Sequence, residues 1–174
     1  AALRTGSGLV SMATRPAHVA GALARQPEVM VSGIVSGQEL EPLLDKPSIL
    51  IVGPGLGRSP WSEQLLQKAV ATGLPMVVDA DALNIIAEGR VVSQPNGSGW
   101  VMTPHPAEAA RLLNISVQDV QADRFSAVRQ LQEKYNAVVL LKGAGTLIAA
   151  PGDEIIAVCP YGNPGMATGG MGDA

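Results

Sequence analysis

Apolar positions along the chain follow two alternating patterns. Unbroken runs at Ser48-Ile-Leu-Ile-Val52, Met76-Val-Val78, Trp100-Val-Met102 and Ala137-Val-Val-Leu-Leu141 predict strands buried on both faces. Between them the spacing turns helical. Trp61, Leu65 and Ala69 recur at i, i+4 and i+8, with Leu66 and Val70 widening the stripe. Ser59 caps that helix and Pro60 takes its first position. Phe125, Val128, Leu131 and Tyr135 mark the clearest amphipathic helix, over 123–135. Shorter helices are expected at 17–25, from a Ser36/Glu39 capping box to about Asp45, at 83–87, and from Pro106 to Leu113. Residues 9–13 and 29–31 read as further short strands. Thr146–Ala150 and Glu154–Cys159, parted by Pro151-Gly-Asp153, read as an antiparallel hairpin.

Strands alternating with helices predict an α/β fold, a mainly parallel sheet with helices on both faces and an antiparallel hairpin near the C-terminus. Ligands of such sheets bind beyond the carboxyl ends of the strands. Four clusters fall there: Gly53–Gly57, Asp79–Asn84, Thr103–Glu108 and Lys142–Thr146.

Composition narrows the class. With 47% hydrophobic and 16% charged residues among 174, the chain is expected to fold as one domain with a real core. Two Trp, two Tyr and one Phe mean that this core is aliphatic. A net charge of −3 offers no general attraction to nucleic acid or anionic membrane. The single cysteine, Cys159, allows no internal disulfide, and no run approaches the ~18 apolar residues of a membrane span. Cytoplasm is the expected compartment. The 20 glycines need particular loops to explain them, because glycine weakens helices and strands.

Gly53-Pro-Gly-Leu-Gly57 has the place of a dinucleotide fingerprint, and Asp79 ends the next strand as a ribose-binding acid would. The spacing is wrong, however: the third glycine of G-x-G-x-x-G would fall on Arg58, and Pro54 lacks an amide. A ligand-approached backbone and a purely structural turn both remain. Asp79 and Asp81 could hold Mg²⁺ through water, or Asp81 could simply cap a helix. His105, between two prolines at a helix start, could offer a ligand a neutral imidazole, with Glu108 one turn on. Alternatively, Glu108 completes a capping box. His18 has no partner motif and reads as solvated. Lys142-Gly-Ala-Gly-Thr146 supplies a point charge, open amides and a hydroxyl suited to phosphate, though a plain hairpin turn has the same composition. Gly162-Asn-Pro-Gly165-Met-Ala-Thr168-Gly-Gly170-Met-Gly172-Asp173 has five glycines in twelve residues and is expected to form an anion hole with an acid at its lip, a disordered tail being the alternative that its apolar, patterned composition disfavours.

These clusters, in this order, resemble the ribokinase-like superfamily, whose G-x-G-D signature matches Gly170-Met-Gly172-Asp173. The resemblance is closest to the ADP/ATP-dependent NAD(P)H-hydrate dehydratases. That family shows G-P-G-L-G, D-A-D-A-L-N, T-P-H-P-x-E, K-G-x-x-T and G-N-x-G-M-A-x-G-G-x-G-D, all present between Gly53 and Asp173. Ala2-Leu-Arg-Thr-Gly-Ser-Gly8 also looks like the family's first helix-to-strand turn. Related vitamin kinases carry Asn where His105 stands, so His105 favours the dehydratase.

The resemblance implies a ribokinase-like domain over 1–174 that restores NADH or NADPH from its (6S) hydrate. Phosphate from ADP or ATP activates the ring hydroxyl, and its loss regenerates the nicotinamide. Gly55, Gly57 and His105 would touch the hydrate; Lys142, Gly143, Ala144, Gly145, Thr146, Gly170 and Gly172 would hold the nucleotide. Asp173 would bind the hydrate and take the hydroxyl proton as catalytic base. Mg²⁺ is implied, with Asp79 and Glu108 reaching it through water. Homo-oligomerisation is expected, and many bacterial relatives carry an epimerase domain N-terminal to this one. The family's Gly-rich segment before Ala1 and its helices after Asp173 are absent, so the chain is expected to be a fragment with little activity alone. A hydroxymethylpyrimidine- or thiazole-type kinase and a non-catalytic nucleotide-binding module are the competing readings.

Overall fold

In a computed structural model of the chain, the described residues are 2–92, 95–162 and 165. They form two compact units, one running to Pro47 and the other beginning at Ser48.

In the first unit, a 3-10 turn at Ala2–Thr5 leads to β1 (Ser11–Thr14). Pro16–His18 is also 3-10 and runs into α1 (Val19–Arg25), because proline sets φ for a first turn. β2 (Met30–Gly33) pairs parallel to β1. The predicted box around α2 (Gly37–Leu40) forms with a shift. Ser36 accepts the Glu39 amide, but the Glu39 carboxylate takes the Val35 amide instead of that of Ser36. A 3-10 turn over Glu41–Leu43 ends the segment. His18 is not purely solvated, since its Nδ1 lies 3.5 Å from Thr14 Oγ1.

The second unit is built on six strands in sequence order: β3 (Leu50–Val52), β4 (Met76–Val78), β5 (Trp100–Met102), β6 (Val138–Leu141), β7 (Thr146–Ala149) and β8 (Ala157–Cys159). β3 to β6 run parallel; β7 and β8 are antiparallel, as the hairpin pattern predicts. The connections are helical: α3 (Pro60–Ala71), α4 (Ala80–Glu88), then α5 (Pro106–Leu113), α6 (Val117–Ala122) and α7 (Arg124–Tyr135). Parallel neighbours need such crossovers, which return the chain to the same edge. α3 buries Ser62, Leu65, Leu66 and Ala69. α4 begins three residues before the expected start.

Register puts Val52, Val78, Met102 and Val139 in one row across the sheet, on the face that Met76, Trp100, Leu141 and Leu147 share. These side chains, with Leu66, Leu83, Ile85, Leu112, Val128 and Leu131, form an almost wholly aliphatic core. The apolar runs overstate burial on the other face. Ile51 there is 60% exposed on the edge strand β3, and Val77, Val101 and Leu140 are only partly covered. Residue type cannot distinguish an edge strand from an interior one, because both are equally apolar.

Candidate functional site

The parallel register lines up the carboxyl ends of β3 to β6. Backbone bonds extend it past the strands: Asp79 N–H donates to Val52 O, Thr103 N–H to Val78 O, and Lys142 N–H to Pro104 O at 2.9 Å. All four clusters at strand ends therefore come to one edge.

The loop after β3 is held tightly. Gly53 has φ +125°, and a Cβ there would lie 1.7 Å from the carbonyl oxygen of Asp79, so glycine is compulsory. Leu56 N–H donates to Gly53 O, and Ser62 Oγ donates to Leu56 O at 2.7 Å. Gly57 N–H donates to Asp81 Oδ2 at 2.8 Å. Gly55 is open to solvent. A loop whose last amide is already taken by a carboxylate is a poor phosphate cradle. That decides against the dinucleotide fingerprint.

Asp79 and Asp81 are parted by Ala80, which has φ +48°. This left-handed turn for a residue with a Cβ is strained. It sends the two carboxylates to different loops, and neither caps α4. Asp79 is at the N-cap position but makes no side-chain capping bond; its Oδ1 meets Lys142 Nζ at 2.9 Å. Asn84 closes the motif. Its Nδ2 donates to Ala80 O at 3.2 Å, and its Oδ1 accepts from Arg111 at 2.8 Å.

After β5, His105 is itself the N-cap of α5. Its Nδ1 accepts the amides of Ala107 and Glu108 at 3.1 and 3.4 Å, and Glu108 Oε2 accepts His105 N–H at 2.8 Å. The capping-box reading of Glu108 thus holds. Acceptance at Nδ1 leaves the ring N–H at Nε2, 3.3 Å from Glu108 Oε1, on a side chain that is 47% exposed. One imidazole both starts the helix and presents an edge to solvent.

Lys142-Gly-Ala-Gly-Thr146 is the β6–β7 hairpin connection, so the plain-turn reading is right as to its form. Thr146 Oγ1 donates to Gly143 O, closing the turn. The loop is nonetheless basic. Lys142 lies at its base, and Arg124 reaches in from α7, donating to Ala144 O at 2.9 Å and Leu141 O at 3.2 Å. A Cβ on Gly143, φ +153°, would come within 2.8 Å of the Arg124 guanidinium. Among the described residues, the buried Arg124 Nε has no hydrogen-bond partner. Arg124 is absent from the sequence-derived set, although one signal marked it. It is a cation in the first turn of a helix, where the macrodipole disfavours positive charge.

The edge is therefore divided by charge: a carboxylate braces the Gly53–Gly57 loop, whereas Arg124 donates into the Lys142–Thr146 loop, whose own Lys142 is paired with Asp79. Asp173, Gly170 and Gly172 lie outside the described residues. Among the described residues, no group of three or more His, Cys, Asp or Glu side chains could hold a metal ion. No helix among them is long and apolar enough to cross a membrane.

Comparison with known proteins adds to this geometry. A family model described as NAD(P)H-hydrate dehydratase matches residues 1–174. A bifunctional NAD(P)H-hydrate repair enzyme of Coxiella burnetii is 52% identical over 175 residues, covering 99% of this chain and 34% of that protein. An ADP-dependent (S)-NAD(P)H-hydrate dehydratase of Neisseria meningitidis is 46% identical over 128 residues, covering 71% of the chain and 43% of that protein. The chain thus spans about a third of the length of the bifunctional relatives it matches. A solved ribokinase-like superfamily protein from Enterococcus faecalis superposes with a TM-score of 0.83 at 29% identity, over 98% of this chain and 59% of its own.

Proposed function

Since the chain belongs to the NAD(P)H-hydrate dehydratase family, we propose that its protein dehydrates (6S)-hydrated NADH or NADPH in the cytoplasm, with ADP or ATP as phosphate donor. The observation that supports this most is the division of charge along one sheet edge. A reaction between an uncharged ring hydroxyl and a nucleotide phosphate needs two unlike subsites side by side. The acid-braced Gly53–Gly57 loop and the exposed edge of His105 suit the ring; Lys142 and the Arg124-held turn suit the phosphates.

In this scheme Lys142 places one positive charge against the donor's phosphates. Asp79, 7% exposed, fixes the ammonium at the end of β6 before any ligand arrives. The turn amides over Gly143, Ala144 and Gly145 and the Thr146 hydroxyl complete the nucleotide side. The His105 Nε2–H, which rests 3.3 Å from Glu108 Oε1, would turn from that oxygen to donate to the hydrate. Gly55 and Gly57 let the ring approach the backbone. Asp173 would take the hydroxyl proton as the hydroxyl oxygen attacks the donor's terminal phosphorus, whose bond to the bridging oxygen breaks and releases AMP from ADP or ADP from ATP. The phosphate then departs with the C–O bond electrons, and loss of a ring proton restores the double bond. Gly170 and Gly172 would cradle the transferring phosphate.

The donor set fits Mg²⁺ arriving on the nucleotide better than a resident metal cage. Mg²⁺ keeps most of its water and takes one or two carboxylates. Asp79 Oδ2 has no hydrogen-bond partner among the described residues and could reach a hydrated ion. Both Glu108 oxygens are already turned to His105, so Glu108 would act only through water. When bound, the ion would neutralise charge on the donor phosphates.

The test incubates the protein with hydrated NADH, Mg²⁺ and either ADP or ATP. Recovery of nicotinamide absorbance that disappears in Asp173→Asn is expected. A phosphorylated alcohol without that recovery would make the protein a kinase, and ligand binding with neither product would make it a binding module.

A further inference from the structure

The Gly53–Gly57 loop has three restraints beyond its own glycines. Two are local: Leu56 N–H to Gly53 O, and Ser62 Oγ to Leu56 O, which tie it to the helix that follows. The third, Gly57 N–H to Asp81, spans 24 residues. Among the described residues, it is the side-chain hydrogen bond that reaches the loop from the neighbouring strand end. Asp81 is itself placed by a chain of contacts. Arg111 holds Asn84 Oδ1 at 2.8 Å, Asn84 Nδ2 holds Ala80 O at 3.2 Å, and the left-handed turn at Ala80 rotates Asp81 away from Lys142. A strained residue persists only where its surroundings over-determine it. Here they do so on both sides, with Asp79 drawn to Lys142 and Asp81 to Gly57.

We infer that Asp81 is a positioning residue that sets the Gly53–Gly57 loop for the hydrated ring, acting through the Gly57 amide without touching the ligand. This rests on the dehydratase reading for the identity of the ligand, but not for the bracing itself. Gly57 lies at φ +73°, a conformation that depends on its surroundings. Without an acceptor at Asp81 its amide is free to turn, and the loop samples other shapes. Misplacement by about an ångström at a binding loop costs on the order of a hundredfold in rate. The nucleotide loop has its own anchors in Asp79, Arg124 and the Pro104 carbonyl, so it is unaffected.

The experiment compares Asp81→Ala and Asp81→Asn in the protein, reading KM for hydrated NADH and for ADP separately, together with hydrogen exchange at the Gly57 amide. Asp81→Ala should raise the hydrate KM about tenfold or more, leave the ADP KM within about twofold, and speed exchange at Gly57. Asp81→Asn keeps an acceptor oxygen and should stay close to wild type in all three. An unchanged hydrate KM in Asp81→Ala, or an equal rise in both KM values, overturns the inference. So does Asp81→Asn behaving like Asp81→Ala. Should Asp81→Ala fail to fold, Asn84→Ala removes the next support and should raise the hydrate KM alone; no change there is equally fatal. Absence of turnover in the wild type would sink the dehydratase reading instead. Gly57 exchange would then still decide whether Asp81 braces the loop.

Discussion

The loops after β3 and β6 are both glycine-rich, both leave parallel strands, and both could be taken for phosphate loops. Their surroundings make them opposites. The first is packed on backbone: Gly53 abuts the Asp79 carbonyl and Gly57 is held by a carboxylate. The second is packed on side-chain cations: Gly143 faces a guanidinium, and Lys142 reaches across to Asp79. Glycine composition is thus silent on what a loop binds. The sign of the charge beside it decides, because an amide shared with a carboxylate cannot welcome a phosphate.

Gly53→Ala should show the largest effect. Its new Cβ meets a backbone carbonyl fixed in the sheet, and a loss of about 4 kcal/mol in urea-unfolding stability is expected. Gly143→Ala, which meets only the far end of a flexible side chain, should cost about 1–2 kcal/mol, mainly from its positive φ. Similar losses in the two variants would erase the contrast between backbone and side-chain packing.

Lys142→Met sharpens the contrast in function. The ADP KM should rise about tenfold or more, for a lost charge-assisted bond of about 1.5–3 kcal/mol, with the hydrate KM nearly constant. Stability should also fall by about 2 kcal/mol, because Asp79 is left buried without its partner. Adding Asp79→Asn should restore stability and not the ADP KM; calorimetry and steady-state kinetics separate the two.

A smaller effect, and a gain, is expected of Ala80→Gly. Relief of the left-handed strain should add about 1 kcal/mol in thermal unfolding, since φ +48° costs glycine little. A loss there would show that the turn is not strained.

The last prediction lies away from both loops. Burial pushes the Tyr135 hydroxyl up to about 12, from 10.0. It donates to Leu112 O from the core. A folded-state value above the unfolded one means that the folded chain holds this proton more tightly. The stability it contributes is complete below pH 10 and is lost as pH rises toward 12. Unfolding curves for Tyr135→Phe should lose that component of the alkaline fall, while kinetics at neutral pH stay unchanged.

Much of this was legible in the chain. Apolar runs at 76–78, 100–102 and 137–141, and helical stripes at 61–70 and 125–135, are local periodicities, and local geometry alone makes them strands and helices. Ser59, Pro60, Pro106 and Glu108 likewise act within one turn of where they stand. The clusters at strand ends were legible as a set because a parallel sheet must gather them at one edge. Their partners were not. Arg124 lies 20 residues before Ala144, Asp81 lies 24 after Gly57, and Lys142 lies 63 after Asp79.

By itself, then, the sequence determined the elements, their alternation and the residues that reach the sheet's carboxyl edge. Only the tertiary structure decided which carboxylate holds which loop, that Arg124 reaches the β6–β7 turn, and that Ile51 lies exposed on an edge strand. The physical reason is one of range. Periodicity and capping are set by neighbours within a few residues, whereas ion pairs and close backbone contacts depend on strand order and register. A single chain's pattern states those only after it has folded.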